Sequence, residues 1–243
     1  MDFVFTEEQQ MIRDTAESFL AQVSTSEAVR QAMASESGFD QALWQKICAE
    51  MYWQAIHIPE DVGGMGLGYV ELVAMMEQMG RYLLCAPFFS TVCLGVNTLL
   101  LAGNEAQKAS YLTAVCEGSL TATLAYCGVH GGRDASAVTA GYTRKGDAFV
   151  LKGECGFVVD GMTAGLLLIA AREEGSSGEE GISLFAVQAD ATGLSRNSLP
   201  VLDQTRKMAV LKLNGLELAS DALLGAAGQT WPILDKVLDL ATI

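Results

Sequence analysis

The chain has 243 residues, of which 50% are apolar and 18% are charged, and a chain of this size buries a core without needing disulfides or a structural metal. This composition excludes global disorder. Asp and Glu total 29 against 15 Lys and Arg, giving a net charge of -14. That is the wrong sign for a surface that displaces counterions from nucleic-acid phosphates, so we expect no nucleic-acid partner.

Cysteine usage and the N-terminus favour a cytoplasmic protein. The 6 cysteines form no CxxC pair and only 2 histidines accompany them, so we expect reduced, mostly buried thiols and no bound metal. Residues 1–8 hold no basic segment, which disfavours a secretory signal.

Residues 82–104 carry no charge, but Pro87, Gly95 and Asn97 within them favour a buried helix over a membrane span.

Helical patterns dominate the chain up to Gly118. Thr6-Glu7-Glu8-Gln9 is a capping box at the start of the first predicted helix. Asp40 is the N-cap of the second. After a glycine-rich break at residues 59–68, further helices are predicted over residues 69–80, 82–104 and 104–118.

Beyond Gly118, about seven β-rich runs alternate with turns. These runs cover residues 120–127, 137–143, 148–152, 156–159, 166–171, 182–188 and 208–213. Because no helical pattern separates them, an antiparallel barrel or sandwich is expected rather than a parallel sheet. Past Gly225 an apolar stripe predicts a helix that has no C-cap by Ile243, as expected for an element cut in mid-course.

The expected fold class is therefore a multidomain α+β protein. An all-α domain is predicted at residues 1–118 and an antiparallel β-barrel or sandwich domain at residues 119–225. Residues 226–243 are predicted to be the start of a truncated C-terminal helical domain.

Stand-alone catalytic motifs are not found in the sequence. It holds no GxGxxG, P-loop lysine or GxSxG pattern. His57 lies among apolar residues, where a structural, hydrogen-bonded histidine is expected. His130 sits in the glycine-rich stretch from Gly128 to Asp134. This stretch is either a flexible turn, or its glycines let the backbone come close to a flat or phosphorylated ligand.

Several strings of residues occur in an order that allows comparison with known families. They include Phe5-Thr6-Glu7-Glu8-Gln9, Pro59-Glu60-Asp61-Val62-Gly63-Gly64-Met65-Gly66-Leu67, Gly146-Asp147-Ala148-Phe149-Val150-Leu151-Lys152-Gly153 and Phe157-Val158-Val159-Asp160-Gly161. Together they resemble the acyl-CoA dehydrogenases, which are flavoenzymes with a helical N-terminal domain, a β-barrel middle domain and a C-terminal helical bundle.

The resemblance implies FAD-dependent α,β-dehydrogenation of an acyl-CoA thioester, in fatty-acid or sterol β-oxidation. A carboxylate removes the α proton while the β hydrogen leaves as hydride to the flavin. The implied partners are the acyl-CoA, an electron-transfer flavoprotein or another electron acceptor, and further subunits in a homo- or hetero-oligomer. In the family the base lies in the C-terminal bundle, so no catalytic residue is assigned in this chain, and the truncated chain alone is expected to be inactive. Glu154, Glu173 and Glu217 are interpreted as solvated surface acids.

The resemblance also implies where the flavin lies. Most members carry Thr-Glu-Pro after the first strand, and many carry an aromatic residue, an aliphatic residue and Thr in a later one. This chain departs from both patterns. The Phe157 ring can still stack on a flavin, and the Val159 main-chain amide can still donate a hydrogen bond to it. The candidate flavin-binding residues are Tyr126, Cys127, Gly128, Val129, Phe157, Val158 and Val159.

Two sets of residues have alternative interpretations. Arg133 replaces a serine that is common near the CoA thioester arm, and it is predicted either to contact the substrate or to fill a shortened loop. Met75, Met76 and Met79 either line an acyl cavity or, with greater weight, pack in the core.

The departures from the family pattern leave two alternatives to an active enzyme. One is a non-catalytic partner subunit of a heteromeric dehydrogenase, for example of the sterol side-chain type, and the other is an acyl-CoA binding module.

Overall fold

A helical half precedes a β-rich half in the computed structural model, which describes residues 4–242. The expected continuation past Ile243 lies outside the described residues. The helices are α1 Glu7–Val23, α2 Ser26–Ala34, α3 Gln41–Lys46, α4 Tyr69–Arg81, α5 Asn97–Ala102, α6 Glu105–Cys116 and α7 Trp231–Leu240. The N-terminal helical region, the β domain and the last helix confirm the expected fold class.

The helix starts follow the capping signals in the sequence. Thr6 Oγ1 accepts from the Gln9 amide at 3.2 Å while Gln9 Oε1 accepts from the Thr6 amide at 3.0 Å, which completes the capping box. Asp40 Oδ1 accepts from two amides at the start of α3. Helix α2 was not predicted, although its cap Thr25 accepts from the Ala28 amide at 3.3 Å.

The uncharged segment forms the buried centre of the molecule. A π-helix, Phe89–Val96, continues directly into α5, and Ser90 to Leu99 are buried throughout. A Cβ on Gly95 would lie 2.6 Å from the Ala122 Cβ, so glycine lets this helix approach the first strand.

No helix in residues 4–242 combines the length and apolarity that crossing a bilayer requires.

The strands form one mixed sheet. They are β1 Ala122–Ala125, β2 Gly141–Lys145, β3 Ala148–Val159, β4 Leu166–Glu173, β5 Ile182–Gln188, β6 Leu194–Leu199, β7 Met208–Leu218 and β8 Leu223–Leu224. Their order is β6-β7-β3-β2-β4-β5-β8, and β1 pairs with β4.

Two of the pairings correct the expectation of a purely antiparallel sheet. Strands β1 and β2 both run parallel to β4, β1 at Leu166 to Ile169 and β2 at Arg172 and Glu173. The hairpin of β2 and β3 lies between β1 and β4 in the chain, so β4 pairs with β1 only after a long crossover. The stretch predicted as a strand at residues 137–143 instead holds a 3-10 turn, Ala135–Ala137, and β2 starts at Gly141.

Irregular pairing explains the remaining strand errors. Strand β3 joins two predicted runs, because register shifts at Leu151/Lys152 and Cys155/Val158 interrupt its alternation without ending it. Strand β6 was missed because it pairs only with β7 and mostly faces solvent, so its sequence lacks apolar alternation.

Two cores support the β half. One fills the interior of the sheet, with Phe149, Leu211 and Phe185 among its residues. The other lies between the sheet and the helices, and it joins residues of α5, α6 and α7 to residues of β1, β4 and β5. Because this second core crosses residues 118 and 225, the domain boundaries stay a prediction.

Candidate functional site

The connection after β1 lies against an irregularity in β3. The Gly156 amide donates to the Cys127 carbonyl at 2.8 Å, and the Gly128 amide donates to the Ala137 carbonyl at 2.9 Å. A Cβ on Gly156 would lie 2.8 Å from the Val129 Cα. Residue 156 therefore has to be glycine for the two predicted flavin-facing segments to meet as closely as they do.

The register shift at this point turns Phe157 outward. Its φ is 53°, in the left-handed region, and its side chain is 44% exposed. Val129 is also 44% exposed, and a Cβ on Gly131 would lie 3.6 Å from the Phe157 ring. A ring held open to solvent at the cost of an unfavourable backbone angle is typical of a ligand contact.

Main-chain donors lie beside this ring. Within residues 4–242, neither the Val129 amide nor the His130 amide has a hydrogen-bond acceptor. We call the Phe157 ring, the Val129 side chain and these two amides the Phe157 platform. Both segments predicted to face a flavin thus contribute to one surface.

The main chain of Val159 has a distinct orientation. The Asp160 amide donates to the Lys207 carbonyl on the β7 side at 2.8 Å. Because hydrogen-bonded pairs alternate along an antiparallel ladder, the preceding Val159 amide faces away from β7. The Thr123 hydroxyl donates to the Val159 carbonyl at 2.6 Å, which holds this segment in place.

The other predicted site residues are less exposed. Val158 is 1% exposed and packs inside the sheet, so only its main chain is accessible to a ligand. Cys127 is buried, its thiol donates to the Gly156 carbonyl at 3.5 Å, and burial raises its pKa. Tyr126 is half-buried, and burial raises the pKa of its phenol. Gly128 is buried in the connection itself.

Arg133 forms an ion pair with Asp239 on α7, and both side chains are exposed. These residues are far apart in sequence, so the pairing could not be read from the chain. The neighbouring His130 is exposed.

The acids considered as possible bases each have a surface partner. Glu154 lies 3.3 Å from Lys212, Glu173 lies 3.4 Å from Arg144, and Glu217 lies 2.8 Å from Lys145. Their side chains are between 40% and 61% exposed. These are solvated ion pairs, as the sequence indicated.

His57 belongs to a buried polar network. The Asn97 side-chain NH₂ donates to the Cys93 carbonyl at 2.9 Å, which orients the amide. Asn97 Oδ1 then accepts from the Tyr69 hydroxyl at 2.8 Å and from His57 Nε2 at 2.9 Å. Burial lowers the pKa of His57, so it is a neutral structural histidine, as predicted.

A cleft of about 390 Å³ lies between α4, the π-helix and the end of α7. Met76 lines it, whereas Met75 and Met79 are 0% and 2% exposed in the helical core. The preferred core interpretation of the methionines thus holds for two of them. The cleft is lined by Tyr69, Leu72, Val73, Met76, Glu77, Phe89, Cys93, Leu240, Ala241 and Thr242.

Sequence reasoning missed one buried acid, Asp160. It is 7% exposed, its φ is 54°, and its Oδ2 accepts from the Ser90 hydroxyl at 2.6 Å. Burial raises its pKa to about 6, against the opposing effects of Ser90 and Arg206. Its position directly after Val159 was the only signal in the sequence.

Comparisons with known proteins bear on this site. Residues 6–119 match the family model "Acyl-CoA dehydrogenase, N-terminal domain". Acyl-CoA dehydrogenase FadE12 of Mycobacterium tuberculosis is 28% identical over 92% of this chain and 58% of its own length. The butyryl-CoA dehydrogenase structure from Megasphaera elsdenii superposes with a TM-score of 0.88 at 22% identity, covering 99% of this chain and 64% of that one. The ChsE4-ChsE5 complex from Mycobacterium tuberculosis gives a TM-score of 0.84 at 24% identity, covering 99% and 62%.

The chain therefore spans less than two thirds of the length of each of these proteins. The family model covers the helical region up to the start of the β domain. The superpositions extend the similarity through the mixed sheet and α7.

Proposed function

We propose that this chain belongs to the acyl-CoA dehydrogenase family and that the protein containing it dehydrogenates an acyl-CoA thioester with FAD. The observation that carries the proposal is the Phe157 platform, where an exposed ring and unpaired amides lie side by side. Planar conjugated rings bind to such surfaces by stacking and by accepting edge hydrogen bonds.

The residues on this surface fit a flavin. Phe157 and Val129 would contact the ring faces, and the Val129, His130 and Val159 amides would donate to its polar edge. Bound FAD supplies an acceptor for the hydride that leaves the β carbon. The chain itself would hold the flavin ring in one orientation, since Phe157 and Val159 are two residues apart on the same strand.

The cleft beside α4 is the proposed acyl site. Leu72, Val73 and Phe89 give it apolar walls, and Met76 adds a flexible side chain that adapts to an irregular chain. Burial raises the pKa of the Cys93 thiol to about 12, so the wall carries no thiolate. Such a lining excludes water around an acyl group.

The base and the electron acceptor are assigned to other parts of the assembly. We propose that the base comes from outside residues 4–242, because Glu154, Glu173 and Glu217 lie in surface ion pairs. We further propose that an electron-transfer flavoprotein or a similar acceptor takes the electrons, in an oligomer located in the cytoplasm.

The first experiment is a titration of the chain with FAD, followed by quenching of flavin fluorescence. Saturable quenching is expected, and Phe157→Ala should weaken it about tenfold through loss of the stacking surface. Leu202→Ala is the matched control, because Leu202 is a fully exposed apolar residue outside the Phe157 platform. If the folded wild-type chain does not quench flavin fluorescence, this part of the proposal fails.

The second experiment tests the reaction on the whole protein that contains this chain. An acyl-CoA should bleach the flavin band, and Met76→Trp should prevent bleaching by filling the cleft while leaving FAD bound. Flavin that stays oxidised with every acyl-CoA would refute dehydrogenation even if FAD binds.

Two observations favour a second candidate, a partner subunit that shapes a companion's site. Valine at position 159 offers an amide but no hydroxyl, and Arg133 is engaged with Asp239 rather than open to a ligand. The same fold occurs in a solved two-component complex. This candidate predicts that the chain alone binds no FAD and that mixing it with a second chain restores binding.

A further inference from the structure

The segment that carries the platform amides has few anchors of its own. We call residues 128–134 the glycine loop. Within it, the Gly131 amide closes a turn on the Gly128 carbonyl at 3.0 Å, and Gly131 and Gly132 have φ values of 70° and 117°. Glycines at such angles have many alternative conformations. The ends of the loop are held by the Gly128 amide on the Ala137 carbonyl and by the Asp134 carboxylate, which accepts from the Ser136 amide. Its middle, residues 129–133, needs a further anchor to stay against Phe157.

Arg133 supplies a long-range anchor for this loop. Its guanidinium donates to Asp239, which lies near the end of α7. That helix is a firm support, because the adjacent Val237 and Leu238 are 0% and 6% exposed in the core between helices and sheet. The positive charge of Arg133 also acts to lower the pKa of Tyr126, against the larger effect of burial, so the guanidinium lies beside the start of the connection.

We propose that Arg133 is a positioning residue whose ion pair with Asp239 holds the glycine loop on the Phe157 platform. The Val129 and His130 amides then stay beside the ring instead of moving with the turn. For flavin binding, this inference rests on the proposed function above. This role replaces the expectation that Arg133 contacts substrate, because the Arg133 guanidinium is already paired with the Asp239 carboxylate.

The test is a mutant cycle of Arg133→Ala, Asp239→Ala and the double variant, with exchange of the Gly131 amide measured by NMR. Opening the turn exposes this amide, so each single variant should speed its exchange by up to about fivefold, the range expected for an exposed ion pair. The double variant should exchange no faster than either single one. Additive effects would overturn the proposal.

Two controls separate the ion pair from general changes. Asp235→Ala alters an exposed acid one helical turn earlier on α7, and it should leave Gly131 exchange unchanged. Arg133→Lys should restore most of the wild-type protection. Raising the salt concentration should speed exchange in the wild type but not in Arg133→Ala, since salt screens exposed charges.

Flavin affinity gives an independent readout. Arg133→Ala and Asp239→Ala should weaken FAD binding by the same factor, up to about fivefold. If only Arg133→Ala weakens it, then Arg133 contacts the ligand directly and the proposal is wrong. If the wild type binds no FAD, the proposed function fails, whereas the exchange measurement still decides whether the ion pair holds the loop.

Discussion

Replacing Asp160 by Asn should stabilise the protein at neutral pH. The carboxyl is buried, and burial raises its pKa from 3.8 to about 6. At pH 7 and above it has to ionise inside the fold, which costs about 3 kcal/mol at ~1.4 kcal/mol for each tenfold step. Asparagine removes that charge, accepts the same hydrogen bond from Ser90 and tolerates the left-handed backbone.

The sign of the pH dependence follows from the raised pKa. The stabilisation by the protonated Asp160 is fully present below pH 3.8 and is lost as the pH rises through about 6. The advantage of Asp160→Asn should therefore grow from about 0.5 kcal/mol at pH 4 to about 3 kcal/mol at pH 8. The new amide NH₂ needs its own acceptor, which reduces the gain by up to about 2 kcal/mol.

Urea unfolding of both proteins at pH 4, 6 and 8 measures this difference directly. Asp190→Asn is the matched control, because Asp190 is exposed and should show no comparable trend. An Asp160→Asn advantage that stays constant between pH 4 and pH 8, or that falls, would refute the reasoning. Ser90→Ala provides a second check, since loss of its donor should push the pKa of Asp160 still higher.

Three further predictions concern the site and its support. Gly156→Ala should destabilise the fold by about 1–3 kcal/mol in urea, because its Cβ would meet the Val129 Cα at 2.8 Å. Asn97→Ala should cost about 2 kcal/mol, since it leaves the buried His57 Nε2 without its acceptor and the half-buried Tyr69 hydroxyl without its partner. The His57 ring should stay neutral between pH 8 and pH 6, because burial lowers its pKa. Its NMR signals should therefore not move over this range. Titration of the ring near the usual histidine pKa would contradict its burial in the network with Asn97 and Tyr69.

Much of the helical half was readable from local chemistry. The capping box at Thr6 and the cap at Asp40 depend on residues within one turn of each other, so the sequence predicts them directly. The absence of charge over residues 82–104 likewise predicts a buried helix, because burying an unpaired charge is costly. The same local strings carry the resemblance to the acyl-CoA dehydrogenases.

The details of the β half required the fold. The parallel pairings of β1 and β2 with β4 depend on which strands meet across a long crossover. The outward turn of Phe157 depends on a register shift against β7, since the pattern of β3 alone reads as two separate strands. Local periodicity holds no information about either.

The sequence by itself determined most of the helices and strands. It also carried the resemblance to the acyl-CoA dehydrogenases, which pointed to the two segments that meet at the Phe157 platform. Only the tertiary structure decided that Arg133 pairs with Asp239 and that Ser90 donates to Asp160. The physical reason is that ion pairs and buried hydrogen bonds depend on which distant residues the fold brings within about 3 Å. Neither partner shows by its own neighbours in the chain which residue it will meet.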